Sequence, residues 1–366
     1  MGQILSVYRL LYRLSWVKVA VCMLLSFVSL SNAEVTATLD FSKELKKGKT
    51  TVWSPLFQAT WDKLNSLHEG APMVSENKLM NKLDGFRWGE DKVMPNNGYA
   101  VYAGRSTADF EADVAADIKK RFGVELKKNV IPENEQGYAS YGILVRNLEF
   151  QKQFYSSKSK ALEFLDGENK VHNVRFFGTA KLPSSRYNKS IRVLRYANKG
   201  KEFALSIKSK QKGENVVIYL PEKPGTMREA IDYLKNSLKV EPELAYGALG
   251  DPYLHEDDTV KIPYLKLESK ANFMDQLRGF RLYNDDEIPW VISAAYQEVS
   301  FEMNEKGAKV KVGTSLGEEP FGSKPVIVPR YFICDQPFFV FLWKDSADLP
   351  YLGLWIDGGE VLEKFK

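Results

Sequence analysis

The stretch QEVSFEMNEKGAKVKVGTSL, residues 297–316, alternates apolar and polar side chains, reaches a turn, and then alternates again. Val299, Phe301 and Met303 share one face of a predicted strand, which ends at the turn signal of residues 304–307. The side chains that share a face beyond the turn are Ala308, Val310, Val312 and Thr314. This second segment is itself competent to form a strand, so the pattern predicts a segment with two possible states. The rest of the chain must supply a sheet that could receive it.

The N-terminus has the pattern of an export signal. Basic residues at 9, 13 and 18 precede an apolar run at 19–30 and a small-residue cleavage site at Ser31-Asn32-Ala33. Residues 1–33 are therefore predicted to be a signal peptide and residues 34–366 a single domain. The competing interpretation is an uncleaved anchor, because apolar residues also occur earlier in the leader. The prediction is a secreted protein, extracellular or periplasmic, with no stable membrane span once the signal is removed.

Charge and cysteine content narrow the class of protein. The chain has 51 Lys and Arg against 47 Asp and Glu. Three of the basic residues lie in the leader, so the remaining chain, with 48 basic residues, is almost neutral, which argues against a nucleic-acid surface. Cys334 is the one cysteine outside the leader, so no internal disulfide is expected. Its strand-like surroundings favour a buried hydrophobe over a reactive thiol.

The order of predicted elements indicates an α+β fold, because most helices lie early and most strands late, with no βαβ rhythm. Helices are predicted at 39–47, 55–64, 106–121, 226–238 and 269–277. Strands are predicted at 99–103, 138–154, 172–177, 191–196, 203–207, 216–220, 260–267, 338–343 and 351–356. No repeat or long linker divides the chain, which supports one domain.

Catalytic patterns are absent from the sequence. His68, His172 and His255 have no partner at metal-ligand spacing, and no nucleophile, P-loop or dinucleotide motif occurs. The acidic runs 257–258 and 285–287 are interpreted as solvated faces, with a calcium site as the alternative. The sequence therefore predicts no metal, no cofactor and a protein that is not an enzyme.

Several segments, taken together and in order, resemble the serpins, the serine protease inhibitor family. The segments that carry the resemblance are Val52-Trp53-Ser54-Pro55-Leu56, 148–154, Asp166-Gly167, 171–177, 216–221, 259–267, 294–307, Asp335-Gln336-Pro337-Phe338 and Leu352-Gly353. The segment 259–267 is similar to the family's Val-x-Leu-Pro-Lys-Phe strand. The match is poor at 66–140, where the helix that crosses the front of the main sheet is expected to be reduced or missing.

The resemblance implies a serpin-like α+β fold with three β-sheets, several helices and an exposed reactive loop between Gly307 and Pro329. It also implies a mechanism, in which a target serine protease cleaves the loop and the loop inserts into the main sheet as a new strand. The inserting side chains would be those of Ala308, Val310, Val312 and Thr314. About 15 residues at roughly 3.3 Å each would carry the protease about 50 Å.

The hinge matches the inhibitory pattern only in part. Glu305, Lys306, Gly307 and Ala308 follow that pattern, but residues 310–313 read Val-Lys-Val-Gly where inhibitory members carry alanines. Glu318 would also fall on the inward face, where a buried unpaired carboxylate is costly. The alternative is therefore a non-inhibitory serpin-fold protein that acts as a binder, carrier or chaperone. A monomer is expected in either case.

The bond that the protease would cleave has two candidate positions. Counting forward from the hinge gives Phe321-Gly322, whereas counting back from Pro337 gives Val326-Ile327. Phe321-Gly322 is preferred, because an aromatic side chain before the bond suits a chymotrypsin-like pocket. Lys324 precedes Pro325 and would resist trypsin-like cleavage.

Overall fold

A seven-stranded sheet forms the middle of the fold and comes from the most apolar parts of the sequence. The computed structural model describes residues 35–68, 72–73, 77–126, 131, 134–179, 187, 189–239, 252–255, 257–283, 289–307 and 328–366. The predicted signal peptide lies outside these residues. Within the described ranges, no helix combines the length and apolarity needed to cross a membrane.

Helices are few and short. They are α1 (Leu56–Asn65), α2 (Lys78–Gly85), α3 (Glu90–Val93), α4 (Ala108–Phe122) and α5 (Met227–Lys239), with 3-10 turns at Asn198–Gly200 and Gly359–Val361. Capping side chains mark where three of them begin. Asn77 accepts hydrogen bonds from the backbone N–H groups of Leu79 and Met80 at the start of α2. Thr107 accepts a hydrogen bond from the backbone N–H of Phe110 at the start of α4. Thr226 and Glu229 form the reciprocal capping box predicted for α5.

Strands make up most of the regular structure. They are β1 (Thr36–Ala37), β2 (Thr51–Trp53), β3 (Pro72–Met73), β4 (Tyr99–Ser106), β5 (Asn134–Leu144), β6 (Tyr155–Ser156), β7 (Leu162–Leu165), β8 (Val171–Val174), β9 (Phe176–Gly178), β10 (Ile191–Ala197), β11 (Glu202–Lys208), β12 (Glu214–Leu220), β13 (Thr259–Pro263), β14 (Leu265–Asn272), β15 (Phe280–Tyr283), β16 (Trp290–Val291), β17 (Tyr296–Met303), β18 (Tyr331–Ile333), β19 (Phe338–Lys344) and β20 (Leu352–Ile356).

The sheets pair strands that are distant in sequence. The seven-stranded sheet has the order β1-β2-β20-β19-β12-β11-β10, and a four-stranded sheet has the order β18-β13-β9-β6. β4 pairs with β5 and β14 pairs with β17, both antiparallel, as two separate ribbons. The remaining pairings are β16-β15-β3 and the hairpin β7–β8. The α+β class is confirmed.

Three predicted elements were wrong in detail. Residues 39–47 form turns instead of a helix, and 269–272 continue β14 before turns at 274–277. The long strand predicted at 138–154 ends at Leu144, because residues 145–148 leave the ladder with β4. The expectation that the helix crossing the main sheet is reduced or missing stays a prediction. The helix predicted at 106–121 is confirmed as α4, which has 15 residues. It packs Val114 and Ile118 onto side chains of β4 and β5.

Candidate functional site

The strand β17 leads directly into the predicted hinge and alternates as the sequence predicts. Gln297 and Met303 are buried, Val299 and Phe301 are half-buried, and the even-numbered residues between them are exposed. β14 pairs with β17 along its whole length, from Ala271 opposite Gln297 to Leu265 opposite Met303. One edge of β17 is therefore paired along its length, and no described strand pairs with its other edge.

The hinge leaves the ribbon by a tight turn at Gly307. Gly307 has φ of +95°, and a Cβ there would lie 2.4 Å from the carbonyl oxygen of Leu148 and 2.5 Å from the amide nitrogen of Phe150. The close approach arises because Gly307 makes an antiparallel bridge with Glu149. Both the backbone conformation and the space therefore require glycine at this position.

Two further backbone bonds hold the hinge against the segment that follows β5. The amide of Phe150 donates to the carbonyl of Lys306 at 3.1 Å, and the amide of Phe154 donates to the carbonyl of Glu305 at 2.9 Å. The Asn304 side chain closes the turn by accepting from the Lys306 amide at 3.0 Å. Residues 305–307 thus have a fixed position at one end of the two ribbons.

A tyrosine holds the Glu305 side chain in the same place. The Tyr264 hydroxyl lies 2.6 Å from Glu305 Oε2 and 2.7 Å from Ser156 Oγ. Arg175 lies over the Tyr264 ring, with its Cζ 4.4 Å from the ring centroid, and forms an ion pair with Glu363. Burial and the hydrogen bond to Glu305 raise the pKa of Tyr264 to about 12. The phenol therefore stays protonated and donates to the Glu305 carboxylate at neutral pH.

β5 and β17 lie side by side and run in the same direction, because residues 138–141 line one cavity with residues 290–294, and residues 146–148 line another with residues 300–304. Among the described residues, β4 is the one strand paired with β5, and β14 is the one strand paired with β17. The helix α1 lies behind β5, since a Cβ on Gly142 would approach Thr60 of α1 to 2.3 Å. The even-numbered residues of β5 thus face inward, as the odd-numbered residues of β17 do.

Cavities lie at both ends of this gap. The upper cavity, about 230 Å³, is lined by residues 146–148 and 150 on one side and by 300–304 on the other, with Val216 and Leu342 behind them. The lower cavity, about 150 Å³, is lined by residues 138–141 on one side and by 290–294 and 296 on the other. The gap between β5 and β17 is therefore open to side chains along much of its length.

A buried ion pair borders the upper cavity. Arg146 donates through Nε to Glu214 at 2.8 Å, and the Tyr351 hydroxyl donates to the same carboxylate at 2.9 Å. Burial, followed by the neighbouring Glu214 carboxylate, raises the pKa of Tyr351. The charges of Arg146 and Glu214 thus pair with each other at the border of the upper cavity. Most of the other side chains that line this cavity are apolar.

Comparison with solved structures shows which fold this chain has. The structure is similar to tengpin, a thermophilic serpin in its native state, with a TM-score of 0.54, 12% identity, and coverage of 89% of this chain and 97% of that chain. It is also similar to human glycosylated kallistatin, with a TM-score of 0.50, 15% identity, and coverage of 84% and 91%. The chain has the serpin fold. No protein-family model and no curated protein sequence matches it.

The far end of the predicted reactive loop is also fixed on this serpin fold. Arg330 directly precedes β18, which runs parallel to β13. Its Nη2 lies 2.7 Å from Oδ2 of Asp258, a carboxylate with no solvent exposure, and its backbone amide donates to Oδ1 at 2.9 Å. Gly307 and Arg330, which precede and follow the predicted loop, are therefore both fixed by contacts with described residues.

The predicted site residues divide into two groups. Glu305, Lys306 and Gly307 lie together against residues 149–154. The remaining candidates lie outside the described residues: Ala308, Val310, Val312, Thr314, Phe321 and Gly322. Cys334 is fully buried, as predicted, and burial raises the pKa of its thiol.

Sequence reasoning missed the residues that hold the loop in place. Tyr264 occupies the position of the lysine in the family's Val-x-Leu-Pro-Lys-Phe motif. This difference from the motif was the one feature of the sequence that could have drawn attention to Tyr264. Asp258 was interpreted as part of a solvated acidic run but is buried beneath Arg330. Nothing in the local sequence indicates that pair, because its members are distant in the chain.

Proposed function

We propose that this chain is an exported serpin that inhibits a chymotrypsin-like serine protease through cleavage and insertion of its reactive loop. The observation that carries the proposal is the pair of unpaired parallel edges, β5 and β17, with the hinge leaving at one end of the gap between them. A strand that enters antiparallel to both would complete two hydrogen-bonded ladders. Completing those ladders supplies the free energy for insertion.

The observed hinge contacts support a specific register for the inserted strand. Gly307 makes antiparallel bridges with Glu149 and with Asn304. Extension of both by one residue puts Ala308 opposite Leu148 and Met303, which are both buried. Side chains directly opposite each other in a sheet share a face, so Ala308 would point inward. Val310, Val312 and Thr314 follow on the same face, and Val310 would lie opposite Arg146 and Phe301, which line the upper cavity.

The protease reacts at the other end of the inserted segment. Its serine attacks the carbonyl of Phe321, the Phe321-Gly322 peptide bond breaks, and the new amino group of Gly322 leaves. An ester then joins the protease to Phe321, and insertion of the preceding residues moves the bound protease along the sheet. The family resemblance supports this sequence of events, and the predicted signal peptide supports an extracellular or periplasmic target.

One sequence feature favours a second candidate, a non-inhibitory binder, carrier or chaperone. Residues 310–313 contain two β-branched valines and a lysine where inhibitory serpins have alanines. Stiff β-branched side chains slow the entry of a strand into a packed sheet. A slow insertion would let the protease hydrolyse the ester before it is displaced.

Incubation with chymotrypsin distinguishes the two candidates. An inhibitor forms a protease complex that survives denaturing electrophoresis, and the cleaved protein gains thermal stability. Cleavage after Phe321 with no such complex and no gain in the unfolding temperature would exclude the inhibitory mechanism. A gain in stability without a complex would instead identify a protein that inserts its loop too slowly.

A further inference from the structure

A third cavity, of about 330 Å³, lies between the segment 39–42, the helices α1 and α2 and the first turn of α5. None of its described lining residues belongs to the hinge or to the ribbons β4–β5 and β14–β17. Each of them has described neighbours on both sides in the sequence. The volume lies in the range of small-molecule sites, roughly 300–1,000 Å³. A ligand in this cavity would therefore bind apart from the hinge, and its binding does not depend on loop insertion.

Aromatic side chains form much of the wall of this cavity, namely Phe41, Trp53, Phe57 and Phe86. Phe41 packs on Trp53 with ring centroids 4.7 Å apart, and it meets Phe86 edge to face at 5.9 Å. Phe41 and Trp53 are buried, whereas Phe57 and Phe86 are half-buried. The contacts between the rings hold the wall in one arrangement. Such a wall favours a planar apolar ligand, because aromatic rings contact each other over large areas in specific geometries.

Gln58 of α1 provides the cavity with an unused hydrogen-bond acceptor. The residue is 5% exposed, and its Nε2 donates to Asp62 Oδ1 at 2.7 Å and to the carbonyl oxygen of Leu83 at 2.8 Å. Both partners accept hydrogen bonds, so the nitrogen must face them and the orientation of the amide group is fixed. No described residue donates to Oε1, and Gln58 lines the cavity. A ligand N–H or O–H group would supply the missing donor.

Arg228 of α5 places a cation at the edge of the same cavity. Its Nε donates to Ser42 Oγ at 2.6 Å, and its Cζ lies 4.2 Å from the centroid of the Phe41 ring. The carboxylate of Asp40 also lines the cavity, but it forms its ion pair with Lys82. In the part of the chain that the structure describes, no carboxylate pairs with Arg228. The guanidinium is therefore held in position while its two Nη groups can donate to an anion.

We propose that this cavity binds a small aromatic carboxylate that also carries an N–H or O–H donor. The aromatic body packs against Phe41 and Trp53, and the carboxylate accepts hydrogen bonds from the Nη groups of Arg228. The donor contacts Oε1 of Gln58. Each of the three parts of the ligand thus has a partner in the cavity, so each part should contribute to the affinity separately.

The test titrates the full-length protein with three probes of nearly the same shape and follows the NMR signals of each probe. Indole-3-acetate has the aromatic body, the N–H and the carboxylate, whereas indole-3-acetamide lacks the charge and 1-benzofuran-3-acetate lacks the N–H. Indole-3-acetate is expected to bind with a Kd of about 0.1 mM or below, which a ligand of this size can reach. The amide should bind about 10–100-fold more weakly and the benzofuran about 5–10-fold more weakly, because each loses one hydrogen-bonded group.

A substitution then locates the site on the molecule. R228Q should reduce the affinity for indole-3-acetate to that for the amide, and it should leave the weak binding of the amide unchanged. R278Q is the matched control, because Arg278 is an exposed arginine that does not line this cavity, and it should bind as the unsubstituted protein does. Circular dichroism verifies that both variants are folded. Equal affinities for the three probes, equal losses in R228Q and R278Q, or no binding of indole-3-acetate would each overturn the proposal.

Discussion

Tyr264 donates a 2.6 Å hydrogen bond to Glu305, and this contact joins the predicted hinge to the residue that directly precedes β14, the strand paired with β17. Tyr264 lies between β13 and β14, and Glu305 lies two residues beyond β17. The family motif has lysine at the tyrosine position, so this chain holds its hinge with a neutral donor.

Removal of this donor is expected to loosen the hinge. Y264F should lower the unfolding temperature of the uncleaved protein by roughly 2–6 °C, because a half-buried carboxylate loses its donor. Y331F is the control, because Tyr331 is exposed. Thermal unfolding followed by circular dichroism measures both. Equal unfolding temperatures for the two variants would show that the bond does not stabilise the hinge.

Substitution at the first inserted position should convert an inhibitor into a substrate. A308R would bring an unpaired charge against Leu148 and Met303 on insertion, which is costly. The expected result is cleavage by chymotrypsin without a stable complex and without a thermal gain. K309A changes an outward residue and should behave as the unsubstituted protein. Identical behaviour of the two variants would contradict the proposed register.

Gly307 should tolerate no side chain. G307A combines a positive φ with a Cβ that would lie 2.4 Å from a backbone oxygen, so we expect a loss of about 2–4 kcal/mol in the free energy of unfolding. G123A is the matched control, because Gly123 also has positive φ but has open space around it. Its loss should be about 1 kcal/mol. Urea denaturation measures both, and equal losses would show that the contact with residues 148–150 contributes nothing.

The ion pair at the far end of the loop should be a major stabilising contact. R330Q leaves the buried Asp258 carboxylate without its partner, and we expect a loss of about 3–5 kcal/mol. The control is R278Q, because Arg278 pairs with Asp275 at the surface, where both side chains are at least 80% exposed. That variant should lose less than about 1 kcal/mol. A small loss for R330Q in urea denaturation would contradict the structural role.

Two arginine substitutions can decide between the candidate cleavage positions. F321R should produce a complex with trypsin and abolish the complex with chymotrypsin, because trypsin-like pockets accept a basic residue before the bond. V326R introduces the same side chain at the rival position and should give no trypsin complex. Electrophoresis under denaturing conditions detects both. A trypsin complex with V326R alone would move the cleavage position to Val326-Ile327.

Local patterns predicted much of the fold. The strands β10, β11, β12, β19 and β20 and the helix α5 lie where apolar periodicity and the capping box indicate. The helix predicted at 269–277 from apolar periodicity does not form. Phe273 and Leu277 have helical spacing, but they are buried in the turn region that follows β14. The pairing of β14 with β17 extends through Asn272 and outweighs that local preference. The hinge was predictable because its turn residues are adjacent in sequence.

The sequence by itself determined the alternation of Gln297 to Met303, the turn at Asn304 to Gly307, and the resemblance to serpins. These are properties of neighbouring residues, which share a face or a turn whatever surrounds them. Three features depend on the tertiary structure: Tyr264 donates to Glu305, Asp258 lies beneath Arg330, and β5 and β17 lie side by side with no described strand between them. Such contacts join residues far apart in the chain, and only the folding of the sheets brings their atoms within hydrogen-bond distance.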